Sequence, residues 1–119
     1  MKFVNTPLAE RLLRRSRNRE CRLVPHATVL DLGAFKPEGS KWHENVDRWC
    51  QQNPGHKAMR GWLLTGDCLF DRHSVVDRGH DDLLDITPPG DRSYSSFLPH
   101  EEDQNEFEKL PNQIIALDL

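Results

Sequence analysis

Two residues of the chain have the types and the spacing that acid–base chemistry needs. His73 lies in the run Cys68 to Asp77 and Asp85 in the run Leu83 to Thr87, with Arg78-Gly79-His80-Asp81 supplying turn chemistry between them. A hairpin centred on residue 79 sets His73 opposite Asp85, Val75 opposite Leu83 and Asp71 opposite Thr87. A carboxylate beside an imidazole fixes one ring tautomer and strengthens it as a base. The bland alternative is a buried histidine whose ring proton is simply satisfied. His43, near the start of a helical stretch, is a candidate acid–base partner, since a helix N-terminus favours the neutral ring.

A base of this kind works on a nucleophile, and the chain offers poor ones. Cys50 falls two turns into the helical stretch, toward the negative end of its dipole, where a thiol is harder to ionise. Cys68 is an odd number of residues from His73 and points to the other face of a strand. Cys21 has no base beside it. Ser40 bears a hydroxyl, but directly before a helix its expected role is to cap free amides.

The elements that must position these groups can be read in order. Thr6-Pro7 starts a helix over 7–17 with Leu8, Leu12 and Leu13 on its apolar side and Arg11, Arg14, Arg15 and Arg17 left to solvent. Cys21 to Leu32 is extended structure interrupted at Pro25, with Thr28 to Leu32 the better strand. Ser40 caps a second helix, Lys41 to Gln52, which Asn53-Pro54-Gly55 stops. On it Trp42, Val46 and Trp49 share one face and His43, Asp47 and Cys50 another. Arg60 to Leu64, Cys68 to Asp77 and Leu83 to Thr87 form an antiparallel meander. Pro88-Pro89-Gly90-Asp91 forces a turn, and Tyr94, Phe97 and Leu98 anchor a loop. Glu101 to Glu108 is an acidic segment of one or two helical turns, and Gln113 to Leu119 is a last strand. The expectation is one α+β domain over 1–119, with an antiparallel sheet of about four to five strands packed on two helices. It divides into a basic helix (7–17), a core (27–89) and an acidic loop with a final strand (90–119).

Trp42, Asn45 and Val46, then Gly61 and Trp62, then His73-Ser74-Val75-Val76, then Asp85-Ile86-Thr87-Pro88 form an ordered set. Over about residues 40–100 this order resembles a group of small bacterial proteins whose elements are similar to a pared-down papain-like hydrolase. The resemblance implies a papain-like element order and a His73–Asp85 pair on strands; a groove between the Trp42 helix and those strands is the candidate binding site, with Trp42, Asn45, Trp62 and Ser40 as candidate binding residues. Some such relatives place a cysteine where this chain has Trp42, so the scaffold and the pair carry over and the nucleophile does not.

Charge adds a different consideration. The net charge is −3, yet residues 1–22 carry +5, residues 23–80 balance, and residues 81–119 carry −8. The ends attract each other or opposite partners. Arg11, Arg14 and Arg15 are the one candidate nucleic-acid surface, weakened by the lack of interleaved aromatics. Six histidines occur without a recognised ligand spacing, and His80-Asp81-Asp82 reads as a solvated turn, so neither a metal nor a cofactor is expected. Phosphate-loop, dinucleotide, zinc-protease and paired-cysteine motifs are missing, which sets aside kinases, nucleotide-fold dehydrogenases and zinc fingers. Three cysteines without paired spacing, and no long apolar segment, suggest a cytoplasmic chain with reduced thiols. Three readings follow: a binding or inhibitory domain with a papain-like His–Asp pair and no cysteine nucleophile; an active hydrolase or transferase with His73 as base and Asp85 as its orienter; and an acidic inhibitor or immunity-type protein that occupies a basic nucleic-acid enzyme. The first two leave open a protein partner or a small substrate.

Overall fold

The computed structural model of the chain describes residues 2–4, 6–38, 41–66, 68–87, 94–101, 107 and 109–116. The fold is α+β. Its strands are β1 (Lys2–Val4), β2 (Arg22–Pro25), β3 (Lys57–Gly66), β4 (Leu69–Asp77), β5 (Leu83–Leu84), β6 (Tyr94–Pro99) and β7 (Gln113–Ile115). Its helices are α1 (Pro7–Arg17), α2 (Val29–Leu32) and α3 (Trp42–Gln52). The hydrogen-bonded strand order is β1-β7-β4-β3-β6-β2, with β5 pairing β4 off that path, and the pairing is mostly antiparallel.

Two compact units make up the chain. One comprises Met1–Arg22, Arg60–Arg72 and Ser96–Leu119, the other Leu23–Met59 and His73–Ser95. In the first, Thr6 caps α1 by accepting from the Ala9 amide at 3.0 Å, as Thr-Pro predicts. Ala9, Leu12 and Leu13 of α1 then close on Trp62, Phe70, Leu98, Phe107, Ile114 and Ala116 in one apolar cluster. Strand β7 pairs in parallel with β1 (Phe3 opposite Ile114) and antiparallel with β4 (Phe70 opposite Ile114). Gly61 on β3 faces Pro99 on β6, and a Cβ there would meet the Leu98 carbonyl oxygen and lie 2.5 Å from the Phe97 ring. Only a residue without a side chain lets those two backbones approach so closely.

In the second unit α3 packs Val46 and Trp49 on Val76, Leu84 and Ile86, with Ala27, Leu32 and Phe35 at the edge of the cluster. The segment before α3 is held by Asn45, whose amide nitrogen donates to the Glu38 carbonyl at 2.7 Å while its oxygen accepts from the Glu38 amide at 2.9 Å. Residues 73–76 of β4 are all buried, so both faces of the strand are covered there.

Several expectations are corrected. Thr28 to Leu32 is not a strand: Thr28 and Asp31 form a reciprocal capping box that starts α2, and the strand is instead Arg22–Pro25. The box outweighs the β-branched and apolar composition because it satisfies backbone donors locally. Tyr94 to Leu98 is part of strand β6 rather than a loop. Helix α3 begins at Trp42 with Lys41 at its cap and no side-chain capping bond. Ser40, the Pro88 to Asp91 turn, most of the acidic segment and residues 117–119 lie outside the described residues.

The hairpin register is corrected as well. Val76 faces Leu84 and Asp77 faces Leu83, which centres the turn on residue 80 rather than 79. The loop 78–82 closes by Arg78 N–H to the Asp82 carbonyl at 2.9 Å, and His80 and Asp81 both adopt left-handed backbone angles (φ 53° and 60°). With Gly79 (φ 104°) this makes three successive residues with positive φ, which lengthen the turn and move the position opposite residue 85 from 73 to 75. A shift of two preserves the face of the strand, so the His–Asp relation survives the wrong register.

Candidate functional site

The second unit gathers its chemistry around one buried carboxylate. After β5 the chain leaves β4 and bridges to the end of β2: the Asp85 amide donates to the Pro25 carbonyl at 2.9 Å and the Ala27 amide to the Asp85 carbonyl at 2.8 Å. This places the Asp85 side chain between three segments. His73 Nε2 on β4 lies 2.7 Å from Oδ2, Ser95 Oγ on β6 donates to the same oxygen at 2.9 Å, and the Thr87 amide donates to Oδ1 at 3.0 Å. His26 follows β2, with Nε2 at 2.7 Å from Ser95 Oγ and 3.8 Å from Asp85 Oδ2, and Nδ1 at 3.3 Å from the Thr87 carbonyl oxygen.

Burial pushes the Asp85 carboxyl up, but the His73 hydrogen bond, the His73 charge, the Thr87 amide and the His26 charge together hold it below its ordinary value. The carboxylate is therefore kept ionised in a site where its side chain has no exposure. Because the carboxylate can only accept, His73 donates to it from Nε2. Among the described residues Nδ1 has no hydrogen-bond partner. The Nε2 bond fixes the orientation of the ring.

Helix α3 presents its first turn to this centre. The Trp42 ring stands edge to face against the His73 ring, with centroids 6.0 Å apart. Trp42 is half-buried rather than a full member of the core, unlike Trp49. His43, the next residue, is joined through Nδ1 to Ser74 Oγ, the neighbour of His73 on β4.

Of the residues singled out from the sequence, Trp42, His43, His73 and Asp85 thus come together. Asn45 uses both ends of its amide on Glu38. Trp62 lies in the core of the first unit, 5.4 Å from the Phe107 ring. Cys50 and Cys68 pack at the edges of the two apolar clusters and Cys68 precedes β4 rather than lying on it; all three cysteines carry reduced thiols. Arg15 of the basic helix turns onto the Pro99 carbonyl at 2.8 Å and onto Glu20 at 3.2 Å. Among the described residues no cluster of three or more histidine, cysteine or carboxylate side chains is placed to hold a metal, and no helix is long and apolar enough to cross a membrane.

Sequence reasoning missed His26 and Ser95. His26 follows Pro25 at the end of a strand, and Ser95 sits two residues before Phe97 in what the sequence presents as a loop. Neither position carries a local signal, because both join Asp85 only through pairing between distant segments. Comparison of the chain with protein-family models, curated proteins and solved structures finds no significant match to any of them.

Proposed function

We propose that the second unit is a binding module built on a papain-like His–Asp centre in which Trp42 takes the place of the cysteine nucleophile. The observation that carries this reading is the Trp42 ring standing against His73 at the first position of α3. A thiol at the start of a helix and facing such a histidine would be easy to ionise, since the amide dipoles and the imidazolium both favour the thiolate. An indole there has no group to ionise. It offers instead a half-buried aromatic surface over the buried His73 ring, which suits recognition of a protein partner or a small ligand.

Trp42→Cys tests the placement. The new thiol is expected to react with iodoacetamide at pH 6 at least about ten times faster than a free cysteine, and to lose that advantage when His73→Ala is added. Ordinary reactivity that ignores His73 would overturn the reading. The free Nδ1 of His73 favours a second reading, in which the wild-type protein is an active hydrolase or transferase with His73 as base and Asp85 as its orienter. Fluorophosphonate and thiol-directed probes decide between them: the binding module leaves no label that depends on His73, whereas the enzyme does.

A further inference from the structure

Counting protons in the Asp85 cluster leads past the His73 pair. The Thr87 carbonyl oxygen can only accept, so His26 Nδ1, 3.3 Å away, donates to it. Ser95 has a single hydroxyl proton and two neighbours that could take it, His26 Nε2 at 2.7 Å and Asp85 Oδ2 at 2.9 Å. With His26 neutral, Nε2 is a lone pair, and the hydroxyl serves one acceptor at the expense of the other. With a proton on Nε2 as well, His26 donates to Ser95, Ser95 donates to Asp85, and every short contact is a hydrogen bond. His73 cannot use an extra proton in the same way, because its Nδ1 has no acceptor among the described residues.

We propose that His26 is a proton-binding switch for the His73–Asp85 pair, acting through the Ser95 hydroxyl. Protonated, His26 turns the hydroxyl onto Asp85 Oδ2, which then shares its acceptor capacity between Ser95 and His73. Neutral, it draws the hydroxyl to itself and leaves that oxygen to His73. The proton comes from and returns to solvent at His26, whose side chain is 9% exposed against 2% for His73 and none for Asp85. The titratable groups acting on Asp85 are His73 from β4 and His26 after β2; β6 adds the Ser95 hydroxyl, and Thr87 its amide. Next to His73, α3 contributes the uncharged Trp42 ring, while His43 is joined to Ser74. The inference rests on the hydrogen bonds around Asp85 and is independent of the Trp42 reading.

The test follows the ring nitrogens of His26 and His73 by ¹⁵N NMR in the full chain from pH 5 to 9. In the wild type the His73 resonances are expected to show an inflection at the pH where His26 titrates, as coupled sites do. In Ser95→Ala that inflection disappears while His26 still titrates. His73 resonances blind to His26 in the wild type, or an inflection that survives in Ser95→Ala, would overturn the switch. Should Ser95→Ala not fold, Ser95→Cys, close in shape and a much weaker donor, takes its place: a lost or reduced inflection supports the switch and an undiminished one rejects it.

Discussion

The two units bury different things. The first closes Trp62, Phe70, Phe107, Leu12 and Ile114 into an apolar cluster, and His100 is its one buried polar side chain among the described residues. The second has a smaller apolar cluster around Val46, Trp49 and Ile86, and it buries Asn45, His73, Ser74, Asp85, Thr87 and Ser95. Apolar burial stabilises without direction, by about 25 cal/mol per Å² removed from water. A buried polar group stabilises only if its partners are in place, and each lost partner then costs about 1–3 kcal/mol. The first unit should therefore resist changes of pH and yield to changes of volume, and the second the reverse. An arrangement that exposes a protein to such losses is what a site requires rather than what a scaffold requires.

The largest effect expected on the volume side is at Gly61. Gly61→Ala sets a methyl group against the Leu98 carbonyl and the Phe97 ring, and at least one of these contacts is with backbone that cannot turn aside. A loss of about 3 kcal/mol or more in urea unfolding is expected, with the same value at pH 5 and pH 8. A tolerated alanine would mean that the β3–β6 approach is looser than the geometry shows.

On the polar side the sharpest probe is His73→Ala, with a loss of about 3 kcal/mol near neutral pH because Asp85 keeps its charge and loses its closest partner. The pH dependence carries the sign. In the wild type the Asp85 carboxyl is held below its ordinary value of 3.8, so its contribution is present above that pH and is lost as pH falls through the lower folded value. Without His73 its hydrogen bond and charge are gone, and the Thr87 amide and His26, the smaller causes, are left against the burial that pushes the carboxyl up. A raised carboxyl binds its proton more tightly in the folded state, so the acid loss should flatten or invert. An unchanged acid profile between pH 5 and 2.5 would show that His73 is not what sets the Asp85 ionisation.

A smaller loss, about 2 kcal/mol, is expected for Asn45→Ala, which strips partners from both the amide and the carbonyl of Glu38. It sharpens the comparison by asking whether α3 is positioned by its apolar face or by this clamp. If Trp42 keeps its contact with His73 in the variant, seen as unchanged NMR cross-peaks between the two rings, Val46 and Trp49 suffice.

What the sequence made legible was local. Thr6-Pro7 announces α1, Asn53-Pro54-Gly55 ends α3, and the run Cys68 to Asp77 places His73 on a strand, whereas Asp85, expected on the next strand, lies one residue past the end of β5 and bridges to His26. The register was out by two because the turn residues of Arg78 to Asp82 mark a turn without fixing its length, and three successive residues, Gly79 to Asp81, take positive φ. The pair was still found, since the error preserved the face of the strand. His26 and Ser95 were illegible for a different reason. Ser95 lies 69 residues from His26 and meets it only where separate strands converge, which no periodicity within a segment can express.

The smallest effect belongs to α2, where sequence and structure part most plainly. Val29 and Leu30 are 86% and 94% exposed, so this helix takes little from apolar packing of those side chains. What starts it is the Thr28–Asp31 box, in which Thr28 Oγ1 accepts from the Asp31 amide at 3.1 Å and the Asp31 carboxylate accepts from the Thr28 amide at 2.8 Å. The hydrogen bond from the Thr28 backbone is the leading reason that the Asp31 carboxyl is held below its ordinary value. Thr28→Ala removes one half of the box and changes no side chain of the second unit's apolar cluster, which α2 meets through Leu32 at its edge. About a five-fold loss of amide protection in the 28–33 segment is expected in hydrogen exchange, with no measurable change at Val76 or Ile86. A drop in protection that spreads to those core positions would make α2 part of the second unit's cooperative structure, and the exposed Val29 and Leu30 would then need another explanation than a locally capped turn.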